Sequence, residues 1–321
     1  MRNAVQEGDP MPNDRPWPRI GLRACLEKLR ERQRRTRDHP RDGVRRGRGI
    51  AIGGWVGGVE PSSAVCRLNN DGSVAIIVGS VDLSGTNTGF TQIAAEAFGL
   101  PLDAVQVVNA DSASAPYAGA SGGSKITYTV GAAVKRAAED ARQQVLRIAA
   151  SELEAAVEDL ESADRAVRVR GVPNRTLPIA KIAALSMSFG AKHEPVYGRG
   201  SVATVVRAPG FAVHLADVEV DPDTGRVTVV DQVVVQDVGR ALNPAEIDGQ
   251  IAGAVAQGVG WALLERMAYD ESGRLQSATL MDYALPHVAE MPGVESVLVE
   301  VPSEHGPFGA KGVGLASGRS S

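Results

Sequence analysis

Cysteine is almost missing from this chain. Cys25 and Cys66 are the only two in 321 residues, too few and too far apart for a disulfide framework or a thiolate cluster. A reducing compartment is therefore the default, and a cytoplasmic location the expectation. No apolar run reaches about 18 residues, so no membrane span is expected. The N-terminus lacks an apolar core behind a basic start, so no secretory signal is expected. The net charge of -4 lacks the basic footprint of a general nucleic-acid binder. Five histidines (His39, His193, His214, His287, His305) lack metal-ligand spacing, and His214, inside an alternating strand, reads as structural. Neither a G-x-S-x-G elbow nor a phosphate-binding P-loop pattern is present. Aromatics are scarce at 4%, against 36 glycines. That balance suits a backbone packed closely against something.

What is present suffices for a sizeable core: 43% of residues are apolar, enough for one large domain or two ordinary ones. Residues 1–20, with Pro10, Pro12, Pro16 and Pro18, read as an extended linker. Residues 21–37 predict a short basic helix with Leu22, Cys25, Leu26 and Leu29 on one face. The arginine run to Arg48 reads as a solvated face, with acidic partners as the alternative, so 1–48 is assigned as linker and basic helix. From Gly49 the pattern turns to strands: GIAIGGW, SAVCRLN and SVAIIVGS, the last two joined by an Asn70-Asp71-Gly72 hairpin turn. A helix is predicted from near Thr88 to Gly99-Leu100-Pro101, then a strand, AVQVVNAD, then a long helix from Tyr128 to Leu153. Strands at 165–171 and 195–207 flank a short helix, PIAKIAALS. A hairpin follows across DPDTGR. Asn243 and Pro244 then open a helix to about Glu265. A second hairpin, MAYDESGRLQSATL, an irregular stretch and the strand ESVLVEVP complete the pattern. Long helices among hairpins predict an α+β fold, mixed sheets and hairpins packed with long helices, not a doubly wound parallel sheet.

Four glycine-dense segments are the candidates for chemistry. In GPFGAKGVG, Gly306 to Gly314, four of nine residues are glycine and Lys311 sits among them. Consecutive N–H groups in such turns form anion-binding concavities and a lysine adds positive charge; the alternative is a surface turn with a solvated lysine. The helix Ile247–Glu265 holds Gly249, Gly253, Gly258 and Gly260. Each interior glycine costs up to about 1 kcal/mol relative to alanine, acceptable where a backbone or a ligand must come close. Tight packing is the plain explanation for Gly249 and Gly253. Gln257, a neutral donor and acceptor beside Gly258, suits an oxo group or a ring edge. The turn Val81–Thr88, with Ser84, Gly85 and Thr86, offers hydroxyls and N–H groups at a helix start, for phosphate or for simple capping. Ala120–Lys125, with Ser121, Gly123, Ser124 and Lys125, reads as a second anion turn or as a flexible loop.

Taken in order, these segments resemble the molybdenum-cofactor-binding large subunit of the xanthine dehydrogenase, aldehyde oxidase and carbon monoxide dehydrogenase family. GRGIAIGGW, the VDLSG turn with QIAAEAFGLP, SGGSK, DVGRALNPAEIDGQIAGAVAQGVG and GPFGAKGVG carry the resemblance, which covers about Gly49 to Gly314. It implies two molybdopterin-binding lobes, at 49–190 and 191–321, the second truncated at the C-terminus. It implies a molybdenum–molybdopterin cofactor, with the cytosine dinucleotide form as a bacterial variant. Ser84, Gly85, Thr86, Gly123, Ser124, Lys311, Gly312, Val313 and Gly314 would surround the pterin and its phosphates, with Gln257 and Gly258 close by. No side chain is expected to bind the metal directly. The reaction implied is hydroxylation of an aldehyde or an N-heterocycle such as a purine, with oxygen from water and a glutamate as general base. The implied partners are the N-terminal half of the large subunit and iron–sulfur (2Fe-2S) and flavin (FAD) subunits, in a holoenzyme that can dimerise.

Three departures from the family pattern matter. The family's Gly-Gln-Gly at the first turn reads Leu83-Ser84-Gly85, which removes a glutamine contact. The chain corresponds to the C-terminal half of a typical subunit. The base glutamate should follow Gly314, where Leu315 stands. Leucine accepts no proton, and loss of a general base costs on the order of 10²–10⁴ in rate. The chain alone is therefore expected to be inactive. The alternative is a non-catalytic paralogue that binds cofactor or a partner.

Overall fold

The structure, a computed structural model, describes residues 3–32, 43–203 and 206–313. In chain order its elements are α1 (Leu22–Arg32), β1 (Arg45–Trp55), β2 (Ser62–Leu68), β3 (Val74–Val78), α2 (Thr86–Phe98), β4 (Val105–Asn109), α3 (Ile126–Leu153), β5 (Leu160–Ala163), β6 (Ala166–Val169), β7 (Val172–Pro178), α4 (Ile179–Met187), β8 (Tyr197–Val202), β9 (Gly210–Val220), β10 (Val227–Asp237), α5 (Pro244–Leu263) and β11 (Val294–Val299). The α+β expectation holds: mixed sheets are packed with long helices.

The chain divides into two compact units. The first comprises Met1–Val56, Ala208–Pro302 and Val313 onward; the second comprises Gly57–Arg207 with Ser303–Gly312. These units do not follow the boundaries expected at 48/49 and 190/191. Strand pairing between residues far apart in the chain decides membership, and local composition does not show it.

In the first unit the sheet order is β1-β9-β10-β11. Strand residues alternate between faces, and each face carries one helix. Leu22, Cys25 and Leu29 of α1 pack with Val213, Leu215, Val233, Val235 and Val299. Ile251, Val255 and Val259 of α5 pack with Val234 on the opposite side. The segment read as a linker and loose helix is thus part of this core. The Gly21 N–H donates to Oδ2 of the fully buried Asp237 at 2.8 Å, which fixes the start of α1 to the end of β10. The predicted helix stretch past Arg32 lies partly outside the described residues.

Of the arginine run, Arg34, Arg35, Arg37 and Arg41 lie outside the described residues, and Arg45, Arg46 and Arg48 are exposed as expected. β1 begins at Arg45 and pairs with β9 over its full length. Arg46 meets Glu219 at 2.9 Å and Arg48 meets Asp217 at 2.7 Å, each directly across the ladder. These are cross-strand pairs that fix register.

The second unit holds the sheet β4-β3-β2-β8 and the small meander β5-β6-β7. The β2–β3 hairpin turns at Asn70–Gly72 as expected, with Gly72 at φ 83. α2 carries the chain from β3 to the parallel β4. α3 lies over β2 and β8 at unusually close range. A Cβ on Gly198 would stand 2.3 Å from the Ala137 carbonyl, and one on Gly200 would stand 1.9 Å from the Ala133 carbonyl. Glycines on the strand and alanines on the helix allow backbone to meet backbone there. β5 and β7 were not separately legible in the sequence.

Candidate functional site

The C-terminal glycine segment belongs to the second unit as far as Gly312. Pro307–Gly309 form one turn of 3-10 helix with Phe308 at φ 51, and Lys135 of α3 lies 5.2 Å from the Phe308 ring centroid. A Cβ on Gly131 of α3 would meet Pro307 at 3.2 Å. The turn is therefore seated on α3. Lys311 is only 3% exposed, so the alternative of a solvated lysine does not hold.

The structure brings Gly312 onto the SGGSK loop. A Cβ on Gly312 would lie 2.2 Å from the Ser124 carbonyl oxygen, and one on Gly58 would lie 2.5 Å from that of Gly123. Three backbone segments are stacked there at glycine-only spacing. Gly123 (φ 69) and Ser124 (φ 55) are both left-handed, a conformation that costs a non-glycine residue about 1 kcal/mol or more. The loop ends at Lys125, where the anion reading needs correction. Lys125 is buried, its Nζ lying 2.9 Å from Glu60 Oε2 and donating to the Ala118 carbonyl at 2.8 Å. The Tyr117 hydroxyl donates to Glu60 Oε1 at 2.8 Å. Lys125 and Tyr117 hold the Glu60 carboxyl below the usual carboxylate range. The lysine charge answers a protein carboxylate.

The VDLSG turn is also left-handed, with Ser84 at φ 57 and Gly85, the residue before α2, at φ 77. Ser84 is exposed, and its hydroxyl donates to the Leu83 carbonyl at 2.6 Å. Asp82 Oδ1 accepts from the Asn87 N–H at 3.1 Å and from the Thr86 hydroxyl at 3.4 Å. A carboxylate therefore already complements the positive end of α2, and the phosphate reading of the first helical turn is weakened accordingly. The Asn87 side-chain amide donates to Asn109 Oδ1 at 2.7 Å, and Asn109 donates to the Ser80 carbonyl at 2.7 Å. Ser80 is 3% exposed, yet its hydroxyl lacks a hydrogen-bond partner among the described residues. Such an orphaned group needs an explanation.

In the first unit, Asn243 caps α5, its side chain accepting from the Glu246 N–H, with Pro244 at the first position. Gln257 is exposed and Gly258 half-buried. Gly249, Gly253 and Gln257 follow at intervals of four and so share one face. A Cβ on Gly249 or Gly253 would meet no atom of the described residues within 4 Å. Tight packing among the described residues, the plain explanation from the sequence, therefore does not account for either glycine. Gly260 differs: a Cβ there would stand 2.3 Å from Glu265 Oε1, whose carboxylate accepts from the Tyr283 hydroxyl at 2.5 Å. Val313 packs against the apolar cluster under α5, so its side chain is a core contact. Gly314, Leu315 and His39 lie outside the described residues.

His214 accepts or donates through Nδ1 at 3.4 Å from Gln232, and burial lowers its pKa to about 4, leaving it neutral near pH 7. Its structural reading fits that environment. His193 meets Glu152 at 3.0 Å on the surface of the second unit. Both cysteines are buried thiols. Among the described residues no cluster of three His, Cys, Asp or Glu side chains could hold a metal, and no helix is long and apolar enough to cross a membrane.

The donors fit a flat, polar, anionic cofactor better than a bare metal ion. In the second unit they are backbone groups at left-handed turns, hydroxyls and one orphaned buried hydroxyl; in the first unit, taken by itself, α5 offers one exposed amide, that of Gln257. Sequence reasoning missed Glu60, Ser80 and Asn109. None carries a local motif, and only the fold brings Glu60 to Lys125 or Asn109 to Ser80.

Comparison with known proteins follows this chemistry. The molybdopterin cofactor-binding domain family matches residues 23–292. The chain is 30% identical to the xanthine dehydrogenase molybdenum-binding subunit of Escherichia coli O157:H7, over 98% of this chain and 44% of that protein. It is 33% identical to the carbon monoxide dehydrogenase large chain of Hydrogenophaga pseudoflava, over 78% of this chain and 32% of that one. The solved structure of quinoline 2-oxidoreductase from Pseudomonas putida 86 superimposes with a TM-score of 0.80 at 28% identity, covering 96% of this chain and 43% of that chain. The chain thus spans less than half the length of these relatives. Its matched extent and shared fold lead to one conclusion: the chain belongs to the molybdopterin cofactor-binding family that includes the large subunits of xanthine dehydrogenase and carbon monoxide dehydrogenase.

Proposed function

We propose that this chain is a cofactor-holding portion of a molybdenum hydroxylase large subunit. The observation that carries the reading is the seating of Gly312 on Ser124, which joins the C-terminal glycine segment to the SGGSK loop at a spacing no side chain permits. In this reading Ser84, Gly85, Thr86, Gly123, Ser124, Lys311, Gly312, Val313 and Gly314 surround the pterin and its phosphates through backbone and hydroxyl groups. Exposed Gln257 and half-buried Gly258 are the cofactor contacts that the reading assigns to the first unit. When bound, the cofactor supplies two-electron redox chemistry that adds a water-derived oxygen to an aldehyde or an N-heterocycle such as a purine. The chain's own contribution is binding and orientation. Leu315 offers no group to take a proton, so the chain does not turn over substrate by itself.

The cytosine dinucleotide form of the cofactor, 2Fe-2S and FAD on other subunits, the N-terminal half of the large subunit as partner, a dimeric holoenzyme and a cytoplasmic location complete the proposal. The share of the relatives' length that the chain covers, 44% and 32%, supports the partner assignment. Leu315 favours a second reading, a paralogue that binds cofactor or a partner without turnover.

Molybdenum analysis and pterin fluorescence of the purified chain test cofactor binding, and dye reduction with an aldehyde or a purine tests turnover. Bound molybdenum and pterin, lowered by Gln257→Ala, with no dye reduction above a metal-free control, is the expected result. Dye reduction above that control overturns the inactivity. Absence of both metal and pterin overturns cofactor holding.

A further inference from the structure

We infer that Lys125 and Glu60 form a latch that positions the Gly122–Ser124 turn. Both act on the cofactor through the turn's backbone and not by touching the cofactor. The inference rests on the reading above, in which Gly123 and Ser124 face the pterin.

Lys125 stands in an unfavourable place for a cation. It is the residue before α3, a helix of 28 residues, and it is 4% exposed. The end of the helix it occupies carries positive partial charge, and burial removes the water that would solvate an ammonium. A lysine there needs a dedicated carboxylate, and Glu60, 65 residues upstream, supplies one at 2.9 Å.

Glu60 also gathers the far end of the same loop. Its second oxygen accepts from Tyr117, and the backbone N–H of Ala120 donates to it as well. Gly119, at φ 66, makes room for the carboxylate: a Cβ there would lie 2.2 Å from the Glu60 carboxyl carbon. One carboxylate thus ties residues 117–120 to Lys125 and closes the loop at both ends. Between the ties the backbone is left exposed. No atom of the described residues lies within 4 Å of the Cβ position of Gly122, and Ser121 is exposed. On the protein side, Gly58, two residues before Glu60, supports the Gly123 carbonyl, and Gly312 rests on that of Ser124. The left-handed pair Gly123–Ser124 is held by contacts from three directions, the condition under which a strained turn persists.

The test compares the full chain with Lys125→Met, the double variant Glu60→Gln with Lys125→Met, and Lys125→Arg. Lys125 is buried and the Glu60 side chain is 30% exposed; removing the lysine alone leaves that partly buried carboxylate without its counter-charge, whereas removing both charges is near neutral for stability. Lys125→Met is therefore expected to lower the melting temperature, and the double variant to restore it. The double variant is nevertheless expected to lose molybdenum and pterin about 10–100-fold faster on dilution, the scale at which supporting groups act on a bound metal. Amide hydrogen exchange at 121–124 should rise about tenfold in the same variant, while Lys125→Arg retains both cofactor and protection. A double variant with wild-type melting, cofactor retention and exchange overturns the latch, as does retention lost in proportion to melting temperature across all three variants. If the unsubstituted chain carries no cofactor, the functional reading fails by itself. The exchange measurement still decides the latch, and an unchanged rate at 121–124 in the double variant overturns it.

Discussion

Glycine does opposite things at two places, the backbone contacts of the second unit and the exposed face of α5 in the first. In the second, Gly58, Gly198, Gly200 and Gly312 sit where a Cβ would come within 2.5 Å of a backbone carbonyl of this chain. Their missing side chains are filled by the protein itself. In α5 of the first unit, Gly249 and Gly253 face positions with no atom of the described residues within 4 Å, so their missing side chains leave open space. The first kind builds the fold. The second costs helix stability, and in the proposed reading the cofactor or the rest of a large subunit occupies that space.

Substitutions break this comparison in opposite directions. The largest effect belongs to Gly200→Ala. Its methyl would overlap the Ala133 carbonyl, where the would-be separation is 1.9 Å, and overpacking of this kind costs on the order of 3 kcal/mol. Denaturant unfolding should show the loss, and a variant as stable as the parent would mean that β8 does not press on α3.

Acid should separate the units next. His214, in the first unit, is held neutral by burial, with its pKa lowered from 6.5 to about 4. The unfolded chain binds that proton more readily, so its contribution is fully present above pH 6.5 and is lost as pH falls toward 4. The slope is about 1.4 kcal/mol per pH unit over that window. In the second unit Glu60 and Glu152 are held below the ordinary carboxylate range by Lys125 and by His193, so their contributions fade only at lower pH. Hydrogen exchange resolved by unit at pH 7, 5.5 and 4.5 should show the first unit weakening earlier, and His214→Gln should remove that difference.

The smallest effect carries the opposite sign. Gly253→Ala should stabilise α5 by up to about 1 kcal/mol, because its methyl meets no atom of the described residues. The same change should reduce bound molybdenum and pterin. Lower stability together with unchanged cofactor content would mean that the open face of α5 serves neither.

Local signals were legible and distant pairings were not. Asn70–Gly72, the Asp221–Arg226 turn and the Asn243–Pro244 start of α5 are set by residues within a few positions of one another, and the structure places turns or helix starts at each. The allocation of β8 and of Ser303–Gly312 to the second unit depends on contacts across more than a hundred residues, such as β2 with β8 and Gly131 with Pro307. The site divides in the same way. Glycine density located the turns, but the sequence could not tell filled glycines from open ones. It also gave Lys125 to an anion, because the carboxylate that engages it lies 65 residues away.

The long pairing of β1 with β9 has a consequence for biosynthesis. β1 is complete by Trp55, yet its partner begins at Gly210, and Gly57–Arg207, most of the second unit, is encoded between them. At about 5–20 residues per second of synthesis, β1 waits about 8–30 s for its only strand neighbour among the described residues. During that interval Ile50 and Ile52 are an exposed apolar stretch in search of an edge. Arg45, Arg46 and Arg48, just before them, are the kind of flanking charge that keeps such a segment from pairing with another chain. The residues that later lock the register thus first serve as guards for a strand born long before its sheet.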